Sequence, residues 1–187
     1  MPYHLNDSTY SPLVLAADNH DALISIVASP YSKMKTDKDE DNRFYTGPAS
    51  TKYDFEFGDG LTARYINASG LPFYAAISSH KVRDEAKQGD LRYSNLSVGY
   101  AAKYDGHISR DMNFYLILGL GAGAARFQYR DIDDSEYRAL GEIFTEVGVR
   151  FNQSISVGVG IKSQVISYPG DTLAYNAMVD LSVGYWF

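Results

Sequence analysis

From Thr172 to Phe187 apolar and polar residues alternate almost without interruption, and this alternation constrains the fold more than any other feature of the chain. Leu173, Tyr175, Ala177, Val179, Leu181, Val183, Tyr185 and Phe187 share one face. Thr172, Ala174, Asn176, Met178, Asp180, Ser182, Gly184 and Trp186 share the other. A strand points successive side chains to opposite faces, so a two-residue period of this length describes a strand between an apolar medium and a polar space.

Segments of the same kind recur along the chain and predict about eight strands. The first spans 21–31, with Ala22, Ile24, Ile26 and Ala28 opposite Ser25 and Ser29. The second, 51–66, sets Tyr53, Phe55, Phe57, Leu61, Ala63 and Tyr65 against Lys52, Asp54, Glu56, Thr62 and Arg64. The third covers 72–84, with Phe73, Ala75 and Ile77 outward. The fourth opposes Leu96, Val98, Tyr100 and Tyr104 to Asn95, Ser97, Gly99 and Lys103. The fifth groups Phe114, Leu116, Leu118 and Leu120, and the sixth sets Ile143, Val147 and Val149 against Arg138, Glu142, Glu146 and Arg150. The seventh sets Ile155, Val157, Val159 and Ile161 against Ser156, Gly158, Gly160 and Lys162. Polar connections are expected at Ser32–Ser50, Glu85–Asp90, Asp131–Glu136 and Pro169–Asp171, and tight turns at Asn67–Leu71, Asp105–Asp111 and Asn152–Gln153.

An even number of long antiparallel strands can close on itself and leave no open edge. Strands of this length exceed the about 9 to 11 residues needed to cross a bilayer's hydrocarbon. The fold expected is therefore all-β: an eight-stranded antiparallel up-and-down transmembrane β-barrel over 21–187. With both termini periplasmic, the four polar connections become extracellular. Residues 1–20, which include Pro12-Leu13-Val14-Leu15-Ala16, are expected to be a periplasmic segment that is either disordered or a plug.

Composition agrees without pointing there unaided. The chain has no run of about 18 apolar residues, so no transmembrane helix is expected. Its mean hydropathy of -0.27 is the usual disguise of a barrel whose polar lumen dilutes its apolar exterior. Tyr 16 and Phe 9 against Trp 1 suit aromatic girdles. The absence of cysteine excludes disulfides and thiolate sites, and a net charge of -6 without a basic cluster argues against nucleic acid. The opening Met1-Pro2-Tyr3-His4 is unlike a signal peptide and reads as a mature sequence behind an initiator Met. A soluble lipocalin-like barrel or a sandwich would turn the polar rows to water. Those rows, however, hold Gly99, Gly119, Gly121, Gly158, Gly160 and Gly184, which suit a narrow lumen.

This layout, with Tyr93-Ser94-Asn95-Leu96-Ser97-Val98-Gly99-Tyr100 and the terminal Val183-Gly184-Tyr185-Trp186-Phe187, resembles the small outer-membrane barrels of the OmpX/Ail and opacity-protein type. The resemblance covers about 21–187 and carries architectural signatures, not catalytic ones. It implies a bacterial outer-membrane location and an insertion signal at Tyr185 and Phe187, read by the barrel-assembly machinery. Residues 1–20 depart from it, since members usually begin close to the first strand.

Chemistry is sparse. Arg138, Glu142, Glu146, Arg150, Lys162 and Asp180 are expected to form a polar network inside the lumen, with Glu142 and Glu146 paired to Arg or Lys of neighbouring strands. Ser78-Ser79-His80 suggests a hydrolase, and lipid A deacylases occur on eight-stranded barrels. Parity, however, places Ser78 and His80 inward and Ser79 outward, and the His-x-Ser arrangement of that family is read as absent. Gly119-Leu120-Gly121-Ala122-Gly123 continues a strand and so is no dinucleotide fingerprint. The run Asp37-Lys38-Asp39-Glu40-Asp41 reads as a solvated loop. Asp59 breaks the alternation between Gly58 and Gly60, which predicts a bulge or a site where a lipid headgroup or ligand meets the wall.

The expected function is a non-catalytic outer-membrane barrel that presents its loops for adhesion, host or phage interaction, or membrane integrity. It is expected to act as a monomer without cofactor or metal, its partners being outer-membrane lipids, lipopolysaccharide and an extracellular molecule the sequence does not identify. An outer-leaflet lipid A-modifying enzyme and a small-molecule conduit with a lateral opening are the alternatives.

Overall fold

The computed structural model describes residues 22–36, 57–84, 89–129, 135–168 and 172–187. Eight strands account for nearly all of them: β1 (Ala22–Thr36), β2 (Phe57–Asn67), β3 (Phe73–Asp84), β4 (Gly89–Ser109), β5 (Met112–Tyr129), β6 (Ser135–Phe151), β7 (Ile155–Tyr168) and β8 (Thr172–Trp186). Every strand pairs antiparallel with its chain neighbours, and β8 returns to β1 through pairs such as Ile24 with Tyr185 and Ile26 with Val183. The result is a closed eight-stranded barrel, in which each strand is laddered to both of its neighbours.

Register carries the alternation of each strand into the next. Ile26 faces Ala63, which faces Ile77, then Leu96, Ala124 and Ala139, so one belt of apolar side chains runs across six strands. That belt lies outside. Ile77, Leu96, Leu120, Ile161 and Val183 are 59 to 65 % exposed, whereas Arg64, Glu142, Glu146, Arg150, Lys162 and Asp180 are buried inside. A soluble barrel has the opposite polarity, with the apolar rows turned inward.

Several boundaries differ from the sequence expectation, among them Gly89 and Asp90, expected in a connection but paired in β4 with Asp84 and Arg83. β1 continues through Ser32 to Thr36 because β8 offers these residues partners, Ser32 with Met178 and Thr36 with Ala174, and pairing overrides their polar composition. The turn expected at Asp105–Asp111 shrinks to Arg110 and Asp111: Asp105 stays in β4 opposite Tyr115, its carboxylate 2.7 Å from Lys103 Nζ. Ser135 and Glu136 belong to β6. The β6–β7 turn is tight, with Asn152 and Gln153 both at positive φ (46° and 62°), the geometry that matches a hairpin's twist. The segments 37–56, 85–88, 130–134 and 169–171, which hold most of the expected loops and the acidic run Asp37–Asp41, lie outside the described residues, as does 1–21.

Close approach explains the inward glycines of β4 and β5. Gly99 and Gly121 face each other in register, and the Tyr74 ring lies across both. A Cβ at Gly121 collides with Tyr74 Oη and the Val98 carbonyl, whereas one at Gly141 meets nothing within 4 Å. Gly121→Ala should therefore destabilise the detergent-folded barrel by about 1 to 3 kcal/mol. Gly141→Ala should leave its thermal midpoint unchanged; equal midpoints for the two variants would contradict this packing.

Candidate functional site

The lumen is built in tiers from residues whose parity turns them inward. At the base Trp186 of β8 is fully buried, with Lys103 Nζ 4.8 Å and the Arg150 guanidinium 5.3 Å from its ring centroid. Tyr115 meets it edge-on at 5.5 Å. With the Asn113 amide oriented to donate to His107 Nδ1 at 3.0 Å, its oxygen accepts from Arg150 Nη2 at 3.2 Å. Cations over an aromatic face gain from the ring quadrupole, more so away from water.

Above this tier Glu146 of β6 forms an ion pair with Arg64 of β2 on the opposite wall. Its other oxygen accepts from Tyr115 Oη at 2.9 Å and Ser182 Oγ at 2.8 Å. Arg64 also lies over the Phe144 ring, 4.8 Å from the centroid, and Phe144 packs edge-on against Tyr74. Charge-assisted bonds of this kind offset the desolvation of a buried carboxylate, which is otherwise costly.

One turn further out, Glu142 is held by neutral donors: Tyr74 Oη at 2.8 Å, Ser97 Oγ at 2.6 Å and Gln164 Nε2 at 2.8 Å. Gln164 Oε1 accepts from Tyr93 Oη at 2.9 Å, and Asn176 donates to the same phenol oxygen while accepting from Ser32 Oγ at 3.2 Å. Beside them Asp180 accepts from Ser29 Oγ at 2.6 Å and lies 3.9 Å from Lys162 Nζ. Lys162 donates to Thr62 Oγ1 at 3.3 Å, and Thr62 donates to Ser78 Oγ at 2.9 Å. The chain of bonds thus crosses the lumen from wall to wall.

Of the charged residues singled out from the sequence, the structure groups Glu142, Glu146, Arg150, Lys162 and Asp180 inside. Arg138 stands apart toward the outer end, half-exposed and in register with Ala125. The expected pairing of the glutamates with neighbouring strands is corrected on two counts. Glu146 reaches across the lumen to β2, because the narrow bore brings opposite walls within side-chain reach. Glu142 takes hydroxyl and amide donors instead of a cation. Sequence reasoning also missed Tyr74, Tyr93 and Tyr115, assigning tyrosine to girdles. Their parity with Ala76, Asn95 and Ile117, all buried, was the available signal.

Tyr185 and Phe187 face outward at the seam, where Phe187 exchanges backbone bonds with Ala22 at 2.9 and 3.1 Å. The Phe187 ring lies 6.5 Å from Tyr65, which in turn is 5.7 Å from Phe73. Asp59 pairs in register with Lys81, and the β1–β2 register shifts between Ser29 and Tyr31, opposite Phe57–Gly60; the Asp59 side chain lies outside the described residues. Ser78 and His80 point inward and Ser79 outward. His80 stacks on Tyr93 at 4.9 Å, and neither of its ring nitrogens reaches a hydroxyl. The reading that the chain lacks a His-x-Ser arrangement is corrected: one occurs at His107-Ile108-Ser109. It lies at the opposite barrel end from His80, beside the β4–β5 turn. Among the described residues no cluster of His, Asp and Glu is arranged to hold a metal ion.

No protein-family model matches the chain, and no curated protein does. A solved structure does: Neisserial surface protein A superposes with a TM-score of 0.58, covering 89 % of this chain and 97 % of that one at 11 % identity. The chain has that barrel fold. The N-terminal β-barrel domain of Pseudomonas aeruginosa OprF (TM-score 0.46, 13 % identity, 90 % and 98 % covered) is also similar. So is the Yersinia pestis outer membrane protein Ail (TM-score 0.42, 14 % identity, 89 % and 99 % covered). At these identities the likeness is one of architecture.

Proposed function

We propose that the chain is an integral outer-membrane barrel that holds its loops outside the cell on a rigid, non-catalytic scaffold, where they meet a host, phage or other extracellular molecule. The observation carrying this reading is the exposed apolar belt. Ile24, Leu61, Ile77, Leu96, Leu120, Ile143, Ile161 and Leu181, one from each strand, are all more than half exposed. Water-soluble monomers rarely expose contiguous apolar patches beyond a few hundred Å². In a bilayer the same belt is solvated by lipid, and closure leaves no backbone group unpaired in the hydrocarbon. The wall-to-wall bonding of the lumen supports a scaffold more than a conduit, and lipids with lipopolysaccharide are the partners such a belt requires.

Replacing residues 37–50 by a Gly/Ser linker of equal length tests the loop role. The barrel should still assemble, while binding to host cells or phage is lost; unchanged binding by the linker variant at equal surface levels counts against it. Delivery is tested at the other end of the chain. Deleting Phe187 should reduce the amount reaching the outer membrane while leaving refolding in detergent nearly intact, because the terminal aromatic is read during transport. Equal surface levels for deletion and parent would reject Phe187 as the signal.

A further inference from the structure

Along one sector the apolar exterior of the barrel ends in a polar row. Toward the end away from the chain termini, β4 presents Tyr100, Val98 and Leu96 outward and then Ser94, while β5 presents Leu120, Ala122 and Ala124 and then Arg126. Register sets these residues side by side: Ser79 pairs with Ser94, Ser94 with Arg126, and Arg126 with Tyr137. All four are exposed, Tyr137 at 70 %. The Arg126 guanidinium lies 6.0 Å from the Tyr137 ring centroid, a cation–π contact that steadies the side chain just where the belt stops. No acidic residue stands in this row. A planar guanidinium takes a phosphate through two parallel N–H bonds, and a neighbouring hydroxyl supplies a further donor.

Below the row the surface sinks. Ala122 pairs with Gly141 and Ala124 with Ala139, four exposed residues with short side chains. Larger side chains stand on either side: Leu96 and Val98 on β4, 59 % and 58 % exposed, and Val165 on β7, in register with Gly141. Leu120 and Ile143, paired with each other, close the lower end, and a Cβ added at Gly141 meets nothing within 4 Å. The result is a shallow apolar groove, two strands wide, that runs along β5 and β6 up to Arg126. From Ala122 to Arg126 it spans about 13 Å at ~3.3 Å per residue. The groove suits an extended hydrocarbon chain and the cation at its end suits an anionic headgroup, so a single amphiphile satisfies both. The β5–β6 connection lies at this end, which faces the outer leaflet when the termini are periplasmic. We propose that the groove and the Ser94–Arg126 pair bind one lipid A moiety of lipopolysaccharide, with an acyl chain over Gly141 and Ala139 and a phosphate on Arg126. The proposal rests on the barrel standing in an outer membrane, and it gives one of its lipids a defined seat.

Native mass spectrometry of the full chain, refolded in detergent with bisphosphorylated lipid A, tests the site. One lipid A should stay bound to the parent. Arg126→Gln should lower the bound fraction roughly tenfold or more, the effect of losing a charged hydrogen-bond donor. Gly141→Leu, which fills the groove and leaves Arg126 in place, should lower it comparably. Both residues face outward, so both variants should keep the separate unboiled band in SDS. Lipid A stripped of its phosphates should bind the parent no better than intact lipid A binds Arg126→Gln, an arm that does not depend on how the variants fold. Equal binding by parent and Arg126→Gln would overturn the proposal. So would phosphatidylglycerol that displaces lipid A mole for mole, which would reduce the site to a general contact for anionic lipid. A parent that folds in detergent yet retains no lipid A would overturn the site alone, whereas folding without any amphiphile would overturn the membrane reading and the site together.

Discussion

Glu146→Ala should lower the unfolding free energy of the detergent-folded barrel by about 3 to 5 kcal/mol, the usual cost of leaving one member of a buried pair uncompensated. The carboxylate removed is the acceptor for Arg64 from across the lumen, for Tyr115 and for Ser182, so three donors lose their partner together. Arg64 is the decisive one, because its charge stays buried over Phe144. Replacing both members, as Glu146→Leu with Arg64→Met, should recover most of the loss, since a well-packed apolar pair of similar volume is often neutral. Thermal unfolding of the four species of this cycle checks the pair. An unchanged midpoint for Glu146→Ala would mean that water reaches Arg64 and that the lumen is open.

Leu120→Arg should cost about 2 to 4 kcal/mol when the protein folds into lipid vesicles, the penalty for a cation on a barrel's lipid face near the midplane. Leu120 is 65 % exposed and flanked in register by Tyr100 and Ile143, each more than half exposed, so the substitution buries nothing and breaks no contact inside the barrel. In a water-soluble protein a surface change of this kind stays within about 0.5 kcal/mol. The variant thus reports the medium around the belt and nothing else. Urea titration of the folding equilibrium in vesicles measures it; equal stabilities for variant and parent would place the belt in water.

The barrel was legible because its exterior obeys one rule from end to end. Leu173 to Phe187 alternates almost without interruption, and in β8 every residue expected to face inward from Ala174 to Trp186 is buried or half-buried. Boundaries were less legible where pairing outweighs composition. Ser32 to Thr36 and Asp105 to Ser109 look like loop, yet the adjoining strands offer them partners. Inside the lumen the charged residues announced themselves, but their bonding did not. Which wall Glu146 reaches depends on the bore and stagger of the closed sheet, quantities set by all eight registers at once. Tyr74, Tyr93 and Tyr115 were obscured by chemistry that suits two places. An aromatic body with a hydroxyl tip fits a membrane interface, and it fits equally well in a narrow lumen where a carboxylate or amide awaits the proton.

The central claim, an inverted barrel that needs an amphiphile around it, is tested most directly by refolding urea-unfolded chain with and without detergent. Electrophoresis in SDS, with and without boiling, then follows the product. The structure predicts full sheet content and a separate unboiled band only when detergent micelles or lipid are present, with aggregation in buffer alone. A monomer that reaches full sheet content in plain buffer would contradict it.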